Sequence, residues 1–252
     1  MPMRLSVFGF QRLTSWLAPV HLAAVLLVLT ACAPLDLAPA PRPQTATVTG
    51  APVGMAAFGE VVARMQPAAT RVCREHSPHL DCTFIVVIDD RPGQPPNAFH
   101  TRDEAGRPII GFTEALIRDL RSVDEVALVF GHEAGHHIAD HLPRIQREAF
   151  TGAVLGGIVA SLARLDQATA QQVVDFSATV RSRRYSQAFE LEADALGTLI
   201  AHRGGFDPLR GADLFRRIPD PGNRFLATHP PNADRLRMIE RTMARIEAGQ
   251  PI

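Results

Sequence analysis

The sequence predicts an α+β fold that is mostly helical around a small β-sheet. Strand-like patterns are confined to residues 83–112, helix-capping signals follow at once at Thr113 and Ser122, and from there the pattern is helical almost to the end. The 252 residues are 46% hydrophobic, which suits one globular domain with an appendage. Twenty-six basic residues balance 26 acidic ones and the basic residues are dispersed, so no whole-chain field exists to hold nucleic acid. All of the basic residues are arginine. A guanidinium stays protonated and cannot act as a nucleophile, which excludes P-loop, pyridoxal and Ser-Lys chemistries together.

Residues 1–31 are expected to be a lipoprotein signal peptide. Arg4 and Arg12 precede an apolar run from Trp16 to Thr30, about as long as a secretory leader's core and short for a membrane span. It ends in Leu29-Thr30-Ala31-Cys32, similar to a bacterial lipobox, which makes Cys32 the expected lipidated anchor. An ordinary signal peptide with an incidental cysteine is the alternative. Residues 32–52, rich in proline, alanine and threonine, read as an extended tether, leaving 53–252 as the folded domain. Export also leaves Cys73 and Cys82 as an even pair, expected to form a disulfide in an oxidising periplasm, two separate buried thiols being the alternative.

Within the domain the first helix is expected over Met55 to Glu75. The β-branched run Thr83 to Asp89 reads as a buried strand, and Asn97 to His100 and Pro108 to Phe112 as two short strands. The intervening Thr101 to Arg107, with Asp103 and Gly106, suits a hairpin turn. Thr113 is expected to cap a helix to about Arg121. Ser122 with Glu125 reads as a capping box opening the next one. Gly152 to Ala163 is strongly apolar but too short to span a bilayer, so it is expected to be a buried helix near the core.

The helix opened by Ser122 carries His132-Glu133-Ala134-Gly135-His136. Histidines four apart lie one turn up the same helix face, so both imidazoles can reach one metal ion. Val126, Leu128, Val129 and Phe130 lead into the motif, and imidazoles without partners would be costly in such a buried stretch. A third ligand is needed. Ala139 and Leu142 stand where a metzincin places glycine and histidine, and no glutamate occurs between Glu148 and Glu190. Glu190 is therefore the candidate, on a helix ending near Gly204. Asp194 shares its face and can orient a ligand imidazole from behind. Glu192, off that face, is expected to be a solvated acid.

These segments resemble the gluzincin metallopeptidases that include the CAAX prenyl proteases and HtpX. The resemblance runs from about Phe84 to Arg237 through Pro96-Asn97-Ala98-Phe99, Asp124-Glu125-Val126-Ala127, the His132 to His136 motif with His141, Glu190-Leu191-Glu192-Ala193-Asp194, Gly205-Phe206-Asp207-Pro208, and Thr228-His229-Pro230 with Arg235. His137 departs from the usual aliphatic, and His100 and Thr101 stand where the pattern continues Ala-Pro-Gly-Gly. The resemblance implies a zincin-like metallopeptidase domain of the soluble periplasmic branch, with one Zn²⁺ held by His132, His136 and Glu190 and with Glu133 as the proton carrier. It implies a substrate edge at Asn97, Ala98 and Phe99 that pairs with extended peptide. His100 on that edge is expected to be solvated, His137 structural, and His141 to sit behind the ligands.

The expected activity is endopeptidase cleavage of unfolded or misassembled cell-envelope proteins. A chaperone-like assembly factor using the same groove with little turnover, in contact with the envelope assembly machinery, is the alternative. Contact with the membrane is expected through the lipid anchor alone. Ala33 after Cys32 suggests the outer membrane, by resemblance to lipoprotein sorting in enteric bacteria. The resemblance also implies that His229, held between Thr228 and two prolines, lies near the zinc, where it is expected to act as an oxyanion donor or, preferably, as a reversible latch on the fourth position. Arg235 is expected to hold charge near the site, a surface salt bridge being the alternative.

Overall fold

The computed structural model of the chain describes residues 52–220 and 230–252, with residues 182–185 described by their backbone alone. The expected leader, Cys32, nearly all of the tether and His229 lie outside the described residues. The elements run α1 (Met55–His76), β1 (Ile85–Asp89), β2 (Ala98–Arg102), β3 (Pro108–Thr113), α2 (Glu114–Asp119), α3 (Val123–Ile138), α4 (His141–Leu162), α5 (Gln167–Arg203), α6 (Pro208–Gly211), α7 (Leu214–Arg217) and α8 (Asn232–Glu247). The fold is the expected mostly helical α+β arrangement. No described helix is long and apolar enough to cross a membrane.

The three-stranded sheet has the order β1-β3-β2, with β1 parallel and β2 antiparallel to β3. The β2–β3 hairpin forms as expected. Gly106 takes φ 82°, and the Asp103 carboxylate accepts from the backbone N–H groups of Ala105 and Arg107. β3 is the central strand and buries Ile110 and Phe112 completely. That placement corrects the reading of β1 as a buried strand. As an edge strand β1 leaves Val87 and Ile88 more than a third exposed.

The core lies between α1, the sheet, α3 and α5. α1 contributes Phe58, Val61, Met65, Ala68, Ala69 and Val72 from one face. Its last turn is tied to the following loop by a disulfide between Cys73 and Cys82. Thr113 caps α2 through its hydroxyl, which accepts from the Leu116 N–H. Ser122 caps α3 by accepting from the Glu125 N–H at 3.1 Å. The Glu125 carboxylate does not close the reciprocal half of a capping box. It accepts from the Arg121 N–H at 2.7 Å and pairs with Arg217 at 2.7 Å.

The apolar stretch from Gly152 to Ala163 falls within α4 and is not buried, contrary to expectation. Phe150, Val154, Leu155, Ile158, Val159 and Leu162 all face outward, with Leu162 80% exposed. The inward face carries Gly152, Gly156 and Ala160. A Cβ on Gly152 would lie 2.5 Å from the Ser177 carbonyl, so it is the small residues that let α4 lie along α5 and the large ones that are left outside.

Candidate metal centre

α3 buries 12 of its 16 residues, and α5 crosses it at very short range. A Cβ on Gly131 would lie 2.5 Å from the Gly197 carbonyl oxygen, and one on Gly135 would lie 2.8 Å from the carbonyl of Ala193. Backbone meets backbone here, and any side chain would hold the helices apart. The approach carries α5 residues onto the face of α3 that bears His132 and His136. Glu190 Oε2 lies 3.4 Å from His132 Nε2, and Glu190 Oε1 lies 3.3 Å from His136 Nε2. The two Nε2 atoms are 3.0 Å apart. One donor atom from each of the three residues falls within 4.8 Å of the others.

Each imidazole is engaged from behind through its other nitrogen. His132 Nδ1 donates to Asp194 Oδ1 at 2.9 Å. Asp194 in turn takes two bonds from the buried Arg235 guanidinium, at 2.6 and 2.8 Å, and Arg235 stacks on Phe215. His136 Nδ1 meets His141 Nδ1 at 2.8 Å. His141 Nε2 lies 3.2 Å from Glu192 Oε2, which accepts from Arg144 at 2.9 Å, and Arg144 stacks on Phe189. Glu192 is exposed as expected, its side chain 44% accessible, but it is also paired with His141 and Arg144. Arg235 is a buried ion pair rather than a surface one, and Asp194 and His141 stand where they were expected.

Burial and the Arg235 charge both act to lower the His132 pKa, yet hydrogen bonds to Asp194 and Glu190 override them and hold it at about 10. Burial acts to raise the Asp194 carboxyl, and the adjoining Arg235 outweighs it, so that carboxyl stays below its ordinary range. Two inward-facing imidazole nitrogens and a carboxylate, with the second nitrogen of each ring occupied, fit a three-ligand zinc site with one open position. The open side meets a cleft of about 700 Å³ whose walls include His132, Glu133, Arg235, Asn97 and Ala98. Glu133 is therefore beside the donors without being one of them.

The three expected substrate-edge residues separate. Asn97 and Ala98 line the cleft at the start of β2, while the Phe99 ring lies across Gly111 of β3, where a glycine Cβ would come within 2.2 Å of it. His100 is not solvated as expected. Its ring packs edge-on to His137, its Nε2 is buried with no hydrogen-bond partner among the described residues, and burial with the nearby His137 charge pushes its pKa down to about 3. His137 is structural, as expected, with Nε2 donating to the Asp81 carbonyl at 2.7 Å.

Residues 56–243, around the whole of this centre, match the model of peptidase family M48. The chain belongs to that family. This M48 peptidase is 28% identical over 144 residues to the mitochondrial metalloendopeptidase OMA1 of Arabidopsis thaliana, an alignment covering 56% of the chain and 28% of that protein. It is 28% identical over 135 residues to the mitochondrial metalloendopeptidase OMA1 of Schizosaccharomyces pombe, covering 50% of the chain and 39% of that protein. The chain thus spans well under half the length of these curated relatives.

Proposed function

We propose that this M48 peptidase is a zinc-dependent endopeptidase, with one Zn²⁺ per chain, that cleaves unfolded or misassembled proteins of a bacterial cell envelope. The observation that carries the reading is the convergence of His132, His136 and Glu190 beside Glu133 on an open cleft. A zinc ion held by the three donors supplies a Lewis acid for the scissile carbonyl and makes a water acidic near neutral pH. Glu133 accepts the proton of the attacking water and returns it to the leaving amine nitrogen. Asp194, held by Arg235, keeps His132 turned toward the centre. The strand β2, an edge strand of the sheet among the described residues and beside the cleft, offers backbone groups to an extended peptide, which favours unfolded segments with little sequence preference. Lipidation at Cys32 and the tether after it would hold the domain on the periplasmic face of the outer membrane.

The test is zinc analysis together with casein cleavage, with and without a chelator, on the wild type and on Glu133→Gln. The wild type should hold one zinc and lose activity to the chelator, while Glu133→Gln should keep its zinc and cleave nothing. A wild type that holds no zinc defeats the metal reading, and a variant that still cleaves defeats the role of Glu133. Cys32→Ser should leave the membrane fraction, and its persistence there would defeat the anchor.

A further inference from the structure

We propose that Glu192, acting through His141, is the positioning residue that fixes the tautomer and orientation of His136. The inference rests on the zinc reading above and follows from the polarity of one chain of contacts.

His136 can give a metal its Nε2 lone pair only when its proton sits on Nδ1. That Nδ1–H then points at His141 Nδ1, 2.8 Å away. Two N–H groups cannot face each other across such a contact, so His141 must present a bare Nδ1 and carry its own proton on Nε2. A carboxylate selects that tautomer, because an ionised carboxylate only accepts. Glu192 Oε2 lies 3.2 Å from His141 Nε2 and accepts its N–H. Reversing the chain would place a proton on His136 Nε2 and close the ligand. The Glu192 acceptor therefore sets two imidazoles in series, each donating in the same direction.

The geometry holds the relay still. His141 is almost wholly enclosed and stacks on Phe189, with ring centroids 4.6 Å apart and planes 17° apart. Arg144 fixes Glu192 from the far side at 2.9 Å while donating to the Ala139 carbonyl and lying over the same Phe189 ring. The arrangement repeats, one residue longer, the support of His132. There a carboxylate, Asp194, is held by Arg235 stacked on Phe215, and here a carboxylate, Glu192, is held by Arg144 stacked on Phe189. Both carboxylates lie on α5, as does Glu190, so one helix provides a metal ligand and the outer supports of the other two.

Zinc affinity, read by competition with a chromogenic chelator on the whole chain, tests the relay without reference to turnover. Losing an outer support of a ligand histidine lowers metal affinity by roughly 10–100-fold. Glu192→Ala, at a half-exposed position, should fall about tenfold, at the low end of that range, while its metal-free stability to urea changes little. Glu192→Gln should recover most of the loss, because the amide carbonyl still accepts from His141 Nε2. His141→Phe should fall about a hundredfold, and His141→Asn should restore much of it through its carbonyl oxygen. The double variant His141→Phe with Glu192→Ala should match His141→Phe alone, since residues in series do not add. Should the His141 variants fail to fold, the Glu192 pair carries the test. Wild-type affinity in Glu192→Ala, or a full second loss in the double variant, overturns the relay. A wild type that binds no zinc overturns instead the reading on which it rests.

Discussion

Replacing Gly131 by alanine asks how closely α3 and α5 must approach for the centre to exist. The added Cβ would lie 2.5 Å from the Gly197 carbonyl oxygen and 3.0 Å from its Cα, against 3.4–4 Å for ordinary contact. The opposing atoms are backbone, so no rotamer change relieves them and the helices must part by about 1 Å. Overpacking of this kind costs about 1–3 kcal/mol, offset by about 0.5–1 kcal/mol of helix propensity gained on leaving glycine. The net loss, up to about 2.5 kcal/mol, corresponds to a fall in Tm of up to about 10 °C for a domain of this size. The larger effect is on the centre, because His132 follows Gly131 and Glu190 lies on the displaced helix. Metal sites tolerate about 0.2 Å, and a 1 Å misplacement costs on the order of 100-fold in turnover. Gly59→Ala is the control, since nothing lies within 4 Å of its Cβ, and it should be neutral or stabilising. Thermal unfolding and zinc titration of both variants decide the matter. A Gly131→Ala protein with wild-type Tm and zinc affinity would refute the argument that backbone contact sets the site.

Arg235→Met should destabilise the metal-free protein by about 3–5 kcal/mol in urea unfolding, because it leaves the buried Asp194 carboxylate without its cation. His100 gives a pH dependence. Its folded pKa of about 3 lies below its unfolded value of 6.5, so its contribution is complete above pH 6.5 and is lost as pH falls toward 3, at about 1.4 kcal/mol per unit. His100→Gln should flatten that part of the stability profile, and an unchanged slope between pH 6.5 and 5 would contradict its burial as a neutral ring. Replacing Cys73 and Cys82 by serine should lower unfolding stability by about 2–4 kcal/mol, measured against the oxidised wild type.

The centre was more legible in the sequence than its surroundings. His132 and His136 are local, four apart on one helix, and the long gap before Glu190 left few acids to choose among. Asp194 followed from the same spacing. The pairing of Glu192 was not legible because its partner His141 lies 51 positions away, and only the packing of α4 along α5 brings them together. Gly131, Gly135 and Gly197 carried a signal that was passed over, since glycine inside a helix marks a place where something approaches. For α4 the composition told that the helix was apolar but not which face was turned inward. Its glycine face packs and its large residues remain outside. The exposure of β1 depended on strand order, which no local pattern encodes.

The length of α5 has a mechanical consequence. Its 37 residues form one rod of about 55 Å, pinned against α3 at Gly197. Glu190 lies about 10 Å from that fulcrum, and the start of the helix at Gln167 about 45 Å from it on the same side. A swing of about 4 Å at the far end therefore moves the ligand carboxylate by about 1 Å, enough to empty the centre. α4 lies along the long arm, with Phe150, Val154, Leu155, Ile158, Val159 and Leu162 exposed among the described residues. A displacement of α4 is thus passed to Glu190 at about a quarter of its size.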